Sequence, residues 1–236
     1  MAKQFVDIAI IGAMKEEVEA LLGYLVDIRC YQYLQTQCYV GKLVDKTVVV
    51  FQSGVGKVAA ALATAFVIEH FSAKAIINIG SAGGLDPLLY IGDIVVSSEV
   101  VYHDVDVTLA GFKYGQVANM PLTFTADAQL VAFAKRAVNQ LTDRKVKIGL
   151  IGSGDIFMSD PEAVERVIKH FPHIMAVDME AAAIGHTCYL YNCPFVVIRA
   201  ISDKVMDEFN KVDFFTFLTT AAKNSAAIVF EMIKSL

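Results

Sequence analysis

Residues 174–183 read Ile174-Met175-Ala176-Val177-Asp178-Met179-Glu180-Ala181-Ala182-Ala183, a short apolar run that meets two carboxylates and then an alanine-rich segment. Its length and pattern predict a buried strand ending at a helix start. In an open α/β sheet, ligands bind in the crevice beyond the carboxyl ends of the strands, so Asp178 and Glu180 stand where such a fold keeps its chemistry. Acids here also suit the positive end of the following helix, and this stretch alone does not choose between the two uses.

The same unit recurs on both sides of it. Residues 6–11 predict a continuous apolar strand broken only by Asp7, followed by Gly12-Ala13-Met14 and a helix in which Val18, Leu21, Leu22 and Leu25 share a face. Glu16 points away from that face, while Glu17 and Glu19 flank it almost equally well, and periodicity does not separate them. A solvated acidic first turn is the plain alternative for either. Residues 75–79 form another buried strand, with Gly80-Ser81-Ala82-Gly83-Gly84 expected as a turn or as a place of close backbone approach. Residues 146–151 lead into Gly152-Ser153-Gly154-Asp155-Ile156-Phe157-Met158, which is not a dinucleotide fingerprint, because Phe157 stands at the third glycine. Phe157 is available either to stack on a base or to pack in the core. Residues 194–202 form the last strand; Arg199 inside it requires a buried partner, and Ser202-Asp203 end it.

Between these units lie two antiparallel strands, residues 29–40 and 42–52, and then Ser53-Gly54-Val55-Gly56-Lys57 before a helix to about His70. This is not a Walker A loop, since Val58 replaces the required Ser or Thr; a tight turn bringing backbone to a ligand is expected. Residues 91–101 are strand-like and end in His103-Asp104-Val105-Asp106, residues 109–121 form a long aromatic loop, and helices cover 126–140 and 160–170. Asp213 is expected to cap a final amphipathic helix carrying Phe214, Phe217, Leu218, Ala221, Val229 and Ile233 on one face.

Strands alternating with helices predict a three-layer α/β/α fold with a central mixed, largely parallel twisted sheet, in a single domain over residues 1–236. Glu17, Ser81, Phe157, Glu180 and Asp203 each follow a strand, so all five are expected along one edge of that sheet. Two carboxylates far apart in sequence can divide acid and base roles there, if burial keeps one protonated while the other is ionised. A net charge of −5 without a basic stripe argues against nucleic acid as a partner. The hydrophobic share of 56% points to a buried subunit interface, but no apolar run is long enough to span a bilayer. Residues 5–14 are a first strand rather than a signal-peptide core, because Asp7 interrupts them and a helix follows. Cys30, Cys38, Cys188 and Cys193 have no metal-ligand spacing, so neither a metal nor a disulfide framework is expected, and a cytoplasmic location is the default.

Taken together, Ile11-Gly12-Ala13-Met14-Lys15-Glu16-Glu17-Val18, Ser53-Gly54-Val55-Gly56-Lys57-Val58-Ala59-Ala60, Gly80-Ser81-Ala82-Gly83-Gly84, Tyr102-His103-Asp104, Ser153-Gly154-Asp155, Val177-Asp178-Met179-Glu180-Ala181 and Arg199-Ala200-Ile201-Ser202-Asp203 resemble the 5′-methylthioadenosine/S-adenosylhomocysteine nucleosidases. The ordered set covers nearly the whole chain. The resemblance implies the nucleoside phosphorylase-like fold and hydrolysis of the bond between adenine and a 5′-thio-substituted ribose. It also implies no cofactor, and a homodimer in which loop 109–121 lies near the partner's site. By position it implies Asp203 as general acid to adenine and Glu17 as base on the attacking water, which Ser81 and Arg199 help to hold. Glu180 would bind the ribose hydroxyls, Phe157 would stack on adenine, and the Met158 backbone would read the base edge. Met179 falls among the substrate-binding positions, and Met14, Val55, Val107 and Phe214 among those lining the 5′-alkylthio pocket. Three departures bear on this: Asp178 stands where bacterial members commonly carry Glu, Leu109-Ala110 where a Phe is usual, and Ala118 where Pro is common. Preference among adenine nucleosides, including 5′-deoxyadenosine, is left open. The competing readings are a phosphate-dependent nucleoside phosphorylase and a nucleoside-binding protein without catalysis.

Overall fold

The computed structural model describes residues 4–33, 36–141, 146–206 and 210–236. In chain order the elements are β1 (Ile8–Gly12), α1 (Lys15–Leu22), β2 (Val26–Tyr33), β3 (Thr36–Leu43), β4 (Lys46–Gln52), α2 (Lys57–His70), β5 (Ala75–Gly84) and β6 (Ile94–Tyr102). They continue with β7 (Phe124–Thr125), α3 (Ala128–Leu141), β8 (Lys147–Ser153), α4 (Pro161–His170), β9 (Ile174–Asp178), α5 (Ala181–Tyr191), β10 (Phe195–Lys204) and α6 (Asn210–Lys234). Asp160 caps α4 by accepting from the Ala163 N–H, with Pro161 at the first helical position.

One mixed sheet runs through all ten strands. Its parallel pairs form the rows β4–β1–β5–β10 and β6–β8–β9. Antiparallel pairs join those rows, β10 to β6 and β5 to β9, so β5, β10, β6, β8 and β9 close into a ring. From that ring β1, β4, β3 and β2 extend as an open wing. β5 has three partners, with β10 along one edge and β1 followed by β9 along the other. The central strand β1 and residues 195–198 of β10 are apolar, largely β-branched runs buried throughout, as strands covered on both faces must be. α1, α3 and α6 cover one face and α2 and α5 the other. α4 sits over a smaller cluster in which Val164 and Val167 join Met158 and Val205.

Four expectations are corrected. The run 29–40 is not one strand but the hairpin β2–β3, and its two ends, Arg29 and Val40, face each other across the ladder. Alternating polarity continues across that hairpin without Gly or Pro to mark it, which hides the reversal from a periodicity argument. The next reversal falls at Val44, which takes φ 58, rather than at Gly41. Gly80-Ser81-Ala82-Gly83-Gly84 is not a turn, because β5 continues through it, paired to β10 as far as Gly84. Asp213 lies inside the first turn of α6 rather than at its cap.

Candidate active site

The first carboxylate is built by α1. Glu17, in the first turn, folds back over the end of β1, where its Oε2 accepts the N–H groups of Ala13 at 2.8 Å and Met14 at 3.1 Å. Its Oε1 accepts the Ser81 N–H at 3.2 Å from β5. Glu19 instead points to solvent and pairs with Lys15 at 3.4 Å, so tertiary packing makes the choice that periodicity could not. Burial pushes the Glu17 carboxyl above its usual range, against the opposing pull of Arg199 and of these N–H groups.

Arg199, itself fully buried on β10, is held by charge and by amide. Its Nε donates to Asp178 Oδ2 at 2.7 Å and its Nη2 to Asn78 Oδ1 at 2.7 Å, while Nη2 also lies 2.6 Å from Asp178 Oδ2. Asp178 Oδ1 accepts the Ser153 hydroxyl and the N–H groups of Glu180 and Ala181. Asp178 is therefore saturated, and its work is to neutralise Arg199 and open α5. Arg199 Nη1 has no hydrogen-bond partner, and it lies with Glu17 Oε1 against Gly80. A Cβ at Gly80 would come within 2.7 Å of Nη1 and 2.9 Å of Oε1, so this glycine is required for the two groups to approach.

Glu180 is the second carboxylate. Its Oε1 accepts the Gly56 N–H at 2.9 Å, presented by a turn in which Gly54 and Gly56 take positive φ, and its Oε2 lies 3.8 Å from Arg199 Nη2. The expected backbone approach of that turn thus goes first to Glu180. Burial, then the charge of Asp178, pushes the Glu180 carboxyl to about 7. Asp203, at the end of β10, is the third. It is buried, its Oδ1 accepts the Ser202 hydroxyl at 2.7 Å, and burial pushes it to about 6. Among the described residues no salt bridge to a cation opposes that shift, so Asp203 keeps its proton to a higher pH than a solvent-exposed aspartate does.

Glu17, Glu180 and Asp203 line one cavity of about 330 Å³. Met14, Val55, Ser81, Phe157, Met158, Met179 and Phe214 line it too. Phe157 is 42% exposed and meets Phe214 in a T-shaped contact at 5.6 Å, so much of the ring is accessible from the cavity. Arg199 sits behind the lining. Val107 is not in the lining; it lies in the segment after β6, and the loop 109–121 likewise does not reach this chain's own cavity. Ile156, Ser202 and Phe215 border the space without having been singled out by sequence. Asn78 could have been, since a lone amide in the apolar run of β5 must find a partner. Among the described residues no group of His, Cys, Asp or Glu is arranged to hold a metal ion, and no helix is long and apolar enough to cross a membrane.

Comparison with known proteins agrees with this geometry. The profile of the phosphorylase superfamily matches residues 7–234. A 5′-methylthioadenosine/S-adenosylhomocysteine nucleosidase of a Marinomonas species is 46% identical over 227 residues, spanning 96% of this chain and 98% of the relative. The chain belongs to that nucleosidase family. Another nucleosidase, from Lysinibacillus sphaericus, is also 46% identical, over 97% of this chain and 99% of its own. The Neisseria meningitidis nucleosidase in complex with methylthio-immucillin-A superposes with a TM-score of 0.94 at 45% identity, over 98% of this chain and 99% of that one. The Colwellia psychrerythraea nucleosidase in complex with adenine gives 0.94 at 43% identity, over 100% and 98%. The family and fold expected from the ordered motifs are therefore those of this chain.

Proposed function

We propose that this chain, acting as one domain, hydrolyses the N-glycosidic bond of 5′-methylthioadenosine and S-adenosylhomocysteine, releasing adenine and the 5-thio-substituted ribose. The observation that carries the proposal is the meeting of Glu17, Glu180 and Asp203 in one largely apolar cavity. As the bond to adenine stretches, positive charge grows on the ribose and electron density collects on the base. Asp203, partly protonated near neutral pH, gives its proton to adenine. Glu17, whose carboxylate form Arg199 and the N–H groups of Ala13, Met14 and Ser81 favour against burial, takes a proton from the attacking water, and the unpartnered Nη1 of Arg199 together with Ser81 holds that water. Glu180 accepts from the ribose hydroxyls, whose donation favours its carboxylate form and counters the effect of burial. Phe157 stacks on adenine, the Met158 backbone reads the base edge, and Met179 contacts the nucleoside. Met14, Val55 and Phe214 receive the 5′ substituent.

Val107 would complete that pocket from a second copy, consistent with a homodimer in which loop 109–121 lies beside the partner's cavity. Val58 and Leu62 on α2, Leu109, and Leu190 on α5 are exposed apolar side chains available for such an interface. A cytoplasmic location fits the reduced cysteines. Phosphate is disfavoured as the nucleophile, because among the described residues no Lys or Arg lines the cavity and the charge of Arg199 is already neutralised by Asp178. Incubation with 5′-methylthioadenosine, with and without phosphate, tests the proposal: free 5-methylthioribose is expected in both cases, and a 1-phosphate product overturns it.

A further inference from the structure

At the far end of α5 from Glu180, backbone geometry brings two thiols together. The helix stops at Asn192, which takes the left-handed conformation, and the Cys193 N–H donates to the Cys188 carbonyl at 2.8 Å. This six-to-one bond is the Schellman closure, which sets the side chains of the two residues it joins against each other. Standard backbone dimensions then limit the separation of the two Cα atoms to at most about 6.7 Å. Disulfides span Cα separations of roughly 4.4–6.8 Å.

Cys188 is fully buried and Cys193 half-buried, and both line a second cavity of about 300 Å³, separate from the active site and bordered by Phe124, Asp127 and Pro194. That cavity admits a small molecule to the pair. The thiols differ in character: a hydrogen bond from Cys188 draws the Cys193 thiol below its ordinary value, whereas burial holds Cys188 well above it. Such a pair divides into an attacking and a resolving thiol.

We propose that Cys188 and Cys193 form a reversible intramolecular disulfide when the protein meets a hydroperoxide. The Cys193 thiolate attacks the terminal oxygen of the hydroperoxide, the O–O bond breaks, and the alcohol, or water from hydrogen peroxide, leaves with a proton. The Cys188 sulfur then attacks the resulting sulfenic acid, the S–S bond forms, and the S–O bond breaks as water departs with the Cys188 proton. Two thiols lose two electrons in all, and one hydroperoxide is reduced. The inference does not depend on the reaction assigned to the active site.

The test uses the folded full chain with one equivalent of hydrogen peroxide. Free thiols should fall from four to two, peptide mass mapping should find Cys188 joined to Cys193, and dithiothreitol should restore all four. In Cys188→Ala, Cys193 should stop at a sulfenic acid that dimedone captures; in Cys193→Ser, Cys188 should stay reduced. A linkage between Cys30 and Cys38 instead, or no linkage at peroxide levels that oxidise exposed Cys30, overturns the proposal. So does a Cys193 that dimedone leaves unlabelled in folded Cys188→Ala. Should that variant fail to fold, the map of the unmodified sequence decides alone.

Discussion

Asp203 combines two demands that pull apart. Its carboxyl is raised from 3.8 to about 6, so the folded state binds the proton more tightly than the unfolded chain does. The resulting stabilisation is fully present below pH 3.8 and is lost as pH rises through about 6, a difference of about 3 kcal/mol at most. Asp203→Asn, which never ionises and keeps an acceptor for Ser202, should therefore raise the melting temperature at pH 8 and change it little at pH 4. The same variant should nearly abolish adenine release while still binding nucleoside, and turnover equal to the parent's would remove Asp203 as the acid. For the parent, kcat/KM should decline as pH is raised above about 6, where Asp203 gives up its proton. Glu180→Gln should separate the sugar from the base: loss of charge-assisted hydrogen bonds should weaken nucleoside binding about 10- to 100-fold, with adenine affinity unchanged by calorimetry.

Among the elements, β5 and β10 carry the site because their carboxyl ends run side by side. Gly80 on β5 faces Arg199 on β10, so Gly80→Ala should push Arg199 and Glu17 apart. A displacement of that size should lower kcat about 100-fold, with the fold retained by circular dichroism. Arg199→Met leaves Asp178 as a buried unpaired charge and should cost about 3–5 kcal/mol in urea unfolding, part of which the added Asp178→Asn should recover. The order of the elements and the placing of Glu180 and Asp203 were legible in the sequence, because an apolar run followed by a carboxylate and a helix start marks a strand's carboxyl end. Periodicity did not choose Glu17 over Glu19, and only the family resemblance did, since the N–H groups that select Glu17 come from the end of β1 and from β5. The division between Asp178 and Glu180 came only from the family resemblance and not from the local pattern, because it depends on where the Arg199 side chain reaches from another strand. Glycines in Gly80–Gly84 suggest a turn locally, and only pairing with β10 keeps them extended.

For the whole molecule, sedimentation should return twice the chain mass of 25.7 kDa, and Leu62→Lys together with Leu190→Lys should return the single mass. The ring of strands has a further consequence for how the molecule opens. β5 is laced on both edges, to β10 on one and to β1 and then β9 on the other, whereas β2 pairs on one edge only and is exposed along nearly its entire length. Deuterium should enter the β2 amides first and those of β5 last, at a rate set by global unfolding. Since Ser81 belongs to β5 while Arg199 and Asp203 belong to its neighbour β10, fraying of β2 should leave the cavity working, whereas no form in which β5 or β10 has opened should retain it. Loss of turnover and release of the slowest-exchanging amides should then follow a single denaturant curve.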